Sequence, residues 1–159
     1  MRFLGNIEAH IDAKGRAFMP AVFRKELQSH GEETLVLRKD AFTDCLVLYP
    51  GSVWEREVDA LRARLSLWNA RHKQVLRQFL SEVMELSLDG NGRFLIPKAF
   101  LEKAHITQGI RFIGIDDTIE LWSADRAEPF MGAEEFSAAL EEFMGQRPTS
   151  REPAEEESR

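Results

Sequence analysis

The sequence predicts an α+β protein made of two tandem, pseudo-symmetric β units, with a helical connector between them and a disordered acidic tail behind them. Three observations predict it. Residues 7–23 recur at 84–100, an offset of 77, with six identities in 17 positions: Glu8/Glu85, Asp12/Asp89, Gly15/Gly92, Arg16/Arg93, Pro20/Pro97 and Phe23/Phe100. Between the copies, apolar residues recur at alternating steps of four and three, as on one face of a helix. From Gln146 onward the chain holds no apolar residue larger than Ala apart from two prolines, and it ends in a glutamate run. The boundaries that follow are a first unit at 1–52, a connector at 53–82, a second unit at 83–125, a C-terminal helix at 126–145 and the tail at 146–159.

Each unit reads as strand, tight turn, strand, short helix and two more strands. Ile7, Ala9 and Ile11 alternate with polar residues, as do Met84, Leu86 and Leu88, which is the period of a half-buried strand. The turns are Asp12-Ala-Lys-Gly15 and Asp89-Gly-Asn-Gly92, where Asp accepts from nearby backbone donors and Gly supplies a positive φ. Short apolar strands follow at 17–19 and 94–96, and Pro20 and Pro97 end them and suit the first turn of helices at 21–28 and 98–104. Strands at 34–38 with 45–49, and at 110–115 with 118–122, close the units; the offset of 77 continued through the helices sets Leu35-Val36 against Phe112-Ile113. A unit of some 45 residues cannot bury enough surface alone, so it is expected to pair with its sister copy or with another subunit.

The connector stripe runs Trp54, Val58, Leu61, Leu65, Trp68, His72, Val75 and Phe79, with a break expected near Ser66–Asn69 where Asn69 suits an N-cap. Behind the second unit, Phe136, Leu140 and Phe143 with Gly145 just beyond predict a short amphipathic helix.

The net charge of −6 argues at first against a nucleic-acid partner. Its distribution reverses that: residues 134–159 carry 3 Lys and Arg against 8 Asp and Glu, whereas the first 80 residues carry 13 against 10. No apolar run approaches the roughly 20 residues of a membrane span. Cys45 is single, so no internal disulfide forms, and no Cys/His cluster suggests zinc; a cytoplasmic protein without cofactor is expected.

No enzyme is expected, since the chain lacks a dinucleotide fingerprint, a phosphate-cradling loop, a helical His pair and a nucleophile elbow. His72 on the stripe reads as a hydrogen-bonded packing residue, Cys45 as a buried inert thiol and Asp116-Asp117 as a hairpin tip. The repeated Asp-x-x-Gly-Arg is different. Asp12 and Gly15, like Asp89 and Gly92, brace a turn; Arg16 and Arg93 leave that turn with a planar fork suited to phosphate or to the O6/N7 edge of guanine. Lys14 adds a cation at the first tip, and Arg24 and Lys25 follow on the first helix, so the first loop is expected to be the main reader.

The two Asp-x-x-Gly-Arg loops, each followed by an apolar triplet and Pro, together with Asp44-Cys-Leu-Val-Leu-Tyr-Pro50 and Ile119-Glu-Leu-Trp122, resemble the MraZ family of bacterial transcriptional regulators, part of the AbrB-like group of swapped-hairpin barrels. Leu4 stands where many members carry an arginine. The resemblance implies AbrB-like β-barrel units and a homo-oligomeric ring that binds double-stranded promoter DNA at direct repeats. It further implies repression of the division and cell-wall gene cluster, nucleoid association, and DNA contact by Arg16 and Arg93. The alternative reading is a ring-forming protein-interaction scaffold whose loops are only braced turns.

Overall fold

The computed structural model describes residues 1–145, so the acidic run predicted to be disordered lies outside the described residues. Met1–Arg126 is one compact unit. Its first copy supplies β1 (Asn6–His10), β2 (Arg16–Phe18), α1 (Ala21–Ser29), β3 (Leu35–Lys39) and β4 (Leu46–Pro50). The connector is α2 (Gly51–Ala63) and α3 (Ala70–Ser81), and the second copy supplies β5 (Val83–Leu86), β6 (Arg93–Leu95), α4 (Lys98–Lys103), β7 (Gly109–Ile115) and β8 (Thr118–Ser123). Pro20 and Pro97 stand at the N-caps of α1 and α4, as their fixed φ favours.

The copies exchange strands. The six-stranded sheet runs β1-β7-β8-β4-β3-β5 and is antiparallel throughout, so the first strand of each copy lies on the edge of the other copy's hairpin. A separate two-stranded ribbon pairs β2 with β6, one strand from each copy. Exchanging the copies leaves both pairings unchanged, which is the pseudo-twofold symmetry that the repeat implies. The expected closed barrel is not formed. After the Asp12–Arg16 loop the chain leaves β1 to pair with the other copy, so β1 and β5 remain the two edges of an open sheet.

Register corrects the repeat alignment as well. Ile7 faces Phe112 and Met84 faces Leu37, so the counterpart of Phe112 is Leu37, at an offset of 75, and not Leu35. From Phe18 to Leu37 the chain is two residues longer than from Leu95 to Phe112, and the longer α1, nine residues against six in α4, lies in that stretch.

Hydrophobic periodicity explains the layering. Leu35, Leu37, Leu46, Leu48, Ile110, Phe112, Ile119 and Leu121 face a large core closed by Ala17 and Phe94 of the ribbon and by Phe23 and Leu27 of α1. Alternate residues of the same strands, Val36, Cys45, Val47, Tyr49, Ile113 and Trp122, face a second core under Val53 and Trp54 of α2. The central strands are covered on both faces and therefore read as continuous apolar runs. Burial pushes the Cys45 thiol up to about 12, in keeping with an inert packing residue.

The connector breaks where its sequence predicts. Asn69 Oδ1 accepts from the amides of Arg71 (2.9 Å) and His72 (3.1 Å), and His72 Nδ1 accepts from the Ser66 amide at 2.9 Å. The apolar stripe does not run on as one face. The break folds it on itself, so that Trp54 stacks on Phe79 (centroids 5.2 Å apart, planes 5° apart) and Trp68, at the turn, is 100% exposed. Asp116 and Asp117 form the β7–β8 hairpin tip, with Asp116 at φ +61° and Asp117 paired to Arg56 at 3.0 Å.

The described residues from Ala127 on belong to a second unit, in which α5 (Ala133–Met144) ends before Gly145, and Phe136, Leu140 and Phe143 share one exposed stripe.

Phe94 of the ribbon meets Phe112 of the sheet edge to face (6.2 Å, 77°), tying the two layers together. Truncating either ring to Ala should cost about 3–5 kcal/mol of unfolding free energy in a denaturant titration, with a coupling of about 0.5–1.5 kcal/mol in the double mutant. Additive losses would show that the ribbon and sheet do not depend on this contact.

Candidate nucleic-acid interface

The two loops have the same hydrogen-bond geometry. In the first, Asp12 Oδ1 accepts from the amides of Lys14 and Arg16, each at 2.9 Å, and Asp12 Oδ2 accepts from Arg16 Nε at 2.7 Å. In the second, Asp89 Oδ1 accepts from the amides of Asn91 and Arg93, each at 2.9 Å, and Oδ2 accepts from Arg93 Nε at 2.9 Å. One carboxylate thus closes the turn with one oxygen and aims an arginine with the other. Gly15 (φ +87°) and Gly92 (φ +81°) take the left-handed position inside each turn. A Cβ at Gly15 would also lie 2.8 Å from the Ile96 carbonyl, because the ribbon passes directly behind it.

Backbone donors dominate the electrostatics. The Arg16 amide, joined by its side chain, holds the Asp12 carboxyl below the usual carboxylate range, and Arg93 does the same for Asp89. Nε of each arginine is committed to the loop. Its two terminal amino groups are left for an outside acceptor.

The ribbon arranges the two arginines. Arg16 pairs with Leu95 and Phe18 with Arg93, so all four side chains lie on one face while Ala17 and Phe94 point to the core. Arg16 and Arg93 therefore stand at diagonal corners, with Phe18 (58% exposed) and Leu95 (48% exposed) at the other two. The Arg93 guanidinium lies 5.9 Å from the Phe18 ring centre. The apolar pair is missed by a sequence reading that takes 17–19 and 94–96 as plain apolar strands. A period of two counted from Arg16 and Arg93 is the signal that finds it.

Lys14 sits exposed at the first tip, but Arg24 is not beside it. Strand exchange carries α1 to the opposite loop, where Arg24 Nη1 donates to the Asn91 carbonyl at 3.2 Å and closes over Gly92. At the first loop the corresponding place beside Gly15 is taken by Leu101 of α4. The added cation of the first copy therefore braces the second loop. A groove of about 910 Å³ lies between α1 and that loop, lined by Arg24, Lys25, Gln28, Glu32, Ser87 and Asp89 among others. Among the described residues no group of His, Cys, Asp and Glu is placed to hold a metal ion.

Comparison with known proteins decides the family. The family model described as "MraZ protein, putative antitoxin-like" matches the chain twice, over residues 2–78 and 79–145, one match for each copy. The chain belongs to the MraZ family. The "Transcriptional regulator MraZ" of Phocaeicola vulgatus is 58% identical over 146 residues, covering 91% of this chain and 95% of that protein. The Bacteroides thetaiotaomicron protein of the same name is 58% identical over 145 residues (91% of this chain and 93% of the relative), and that of Pseudomonas savastanoi pv. phaseolicola 34% identical over 123 (77% and 81%).

Because the Asp12 and Asp89 carboxyls are held below 3.8, their loop bonds contribute fully above that pH and are lost as pH falls through the lowered values. Carboxyl NMR titration should give midpoints below 3.8 for both, with the Arg16 and Arg93 amide shifts following them. A midpoint at or above 3.8 would show that the arginines are not held by these carboxylates.

Proposed function

We propose that this chain is a sequence-specific, DNA-binding transcription regulator that reads promoter DNA with the outer face of the β2–β6 ribbon. The observation that carries the reading is the four-residue face: two arginines held by Asp12 and Asp89 at opposite corners, with two exposed apolar side chains between them. Strands of three residues make a ribbon about 10 Å long at about 3.4 Å per residue. That matches a B-DNA major groove about 12 Å wide. Fixing Nε leaves the terminal amino groups of Arg16 and Arg93 for guanine O6 and N7, while Phe18 and Leu95 suit thymine methyl groups. Lys14 supplies a phosphate contact at the first tip, and Arg24 holds the second loop in shape.

Each ribbon makes few contacts, so binding relies on several copies in a homo-oligomeric ring, whose linkage raises avidity by about 10²–10⁴ over one site. The operator is then a set of direct repeats about 10–10.5 base pairs apart. Repression of the division and cell-wall gene cluster, including the chain's own gene, and a place on the nucleoid in the cytoplasm complete the reading. Among the described residues no helix is long and apolar enough to cross a membrane.

A mobility-shift titration on the region upstream of the chain's own gene tests this. Arg16→Ala should lose about 1–3 kcal/mol per occupied guanine contact without loss of assembly, whereas Lys14→Ala should weaken all sequences alike and lower the salt slope by about one. Parent-like retardation by the Arg16 variant would refute the assignment. The scaffold reading draws on the exposed stripe of α5 and predicts no retention of DNA even at low salt.

A further inference from the structure

Charge and apolar exposure are segregated on two surfaces that the ribbon does not use. From Arg62 to Ser81, the turn of the connector and α3, there are five cations (Arg62, Arg64, Arg71, Lys73 and Arg77) and no acidic residue. The same stretch exposes Leu67, Trp68, Val75 and Leu80. The α5 helix is its complement. It has four acidic residues, Glu134, Glu135, Glu141 and Glu142, and no cation, beside the exposed Phe136, Leu140 and Phe143, the last 70% exposed.

An apolar stripe flanked by one sign of charge recognises an apolar strip flanked by the other. The hydrophobic contact supplies the binding energy, and the charges set orientation and exclude like surfaces. Both surfaces are exposed in a single chain, and they are different surfaces, so pairing them between copies gives a head-to-tail contact. We infer that α5 of one copy docks on the α2–α3 turn of a second copy, with Phe136, Leu140 and Phe143 against Leu67, Trp68 and Val75, and the glutamates against Arg64, Arg71 and Lys73. This names the surfaces of the self-association that the proposed function relies on. A head-to-tail contact repeats from copy to copy, giving a ring where the rotation between copies closes and an open filament where it does not, so this docking suits a ring without any surface pairing with its own copy.

Sedimentation and native mass measurements on the full chain, without DNA, test the docking separately from DNA binding. Charge reversal on the turn (Arg64→Glu with Arg71→Glu) or on α5 (Glu141→Arg with Glu142→Arg) should each raise the dissociation concentration of the assembly about tenfold or more. Combining the two reversals in one chain should restore the parent mass, which general destabilisation does not predict. Mixing the two singly reversed chains pairs native α5 with native turn and reversed α5 with reversed turn, so assemblies that alternate the two chains should re-form. A parent-like mass for both reversed proteins overturns the inference, as does a parent that is monomeric at high concentration, including one in which α5 covers its own turn. Loss of DNA retardation with a retained assembly would count against the proposed function and leave this interface standing.

Discussion

Everything on the interface depends on the exchange of strands between the two copies. A single copy has one three-residue strand behind its loop, too short to stand alone, and one edge to which nothing of its own returns. Pairing β2 with β6, and β1 and β5 with the opposite hairpins, satisfies those edges together and buries Ala17 and Phe94 in one shared core. The same pairing sets the two arginine loops at opposite ends of one ribbon. Stability and presentation of the site therefore come from one arrangement, and a change that loosens the ribbon disturbs both.

Within that frame, the loops divide the work between the aspartate and the arginine. An exposed arginine carries some 2 kcal/mol of side-chain rotamer entropy. Tethering Nε to a carboxylate that is itself fixed by two backbone amides removes part of that freedom before any partner arrives, which is how preorganisation improves affinity. The copies have since diverged. Arg24 braces the second loop and Leu101 packs at the first, so two loops of identical inner geometry meet their surroundings with different chemistry, one polar and one apolar.

Much of this was legible in the residues. Asp, Gly, Arg and Pro recur at fixed spacing because turns, left-handed φ and helix starts have local causes, and those survived folding unchanged in both copies. The Asn69 cap and the end of α5 at Gly145 were readable for the same reason. Pairing partners were not. No local pattern says whether β2 returns to β1 or crosses to β6, so the closed barrel was expected where an open sheet stands, and Arg24 was assigned to the wrong loop. The two-residue change of offset after the short helices lies where the copies share no identities, and only strand register reveals it. Trp68 belonged to the stripe by spacing, yet the fold at Asn69 left it outside.

The proposed function requires that a ribbon made jointly by the two copies meets DNA as one rigid reading surface. A crystal structure of the full chain on a duplex from its own promoter tests it most directly. The β2–β6 ribbon should lie in the major groove, with Arg16 and Asp12 still joined and the terminal amino groups of Arg16 about 3 Å from guanine O6 and N7. DNA lying instead along the basic α2–α3 turn, with Arg16 and Arg93 bonded only within their loops, would contradict it.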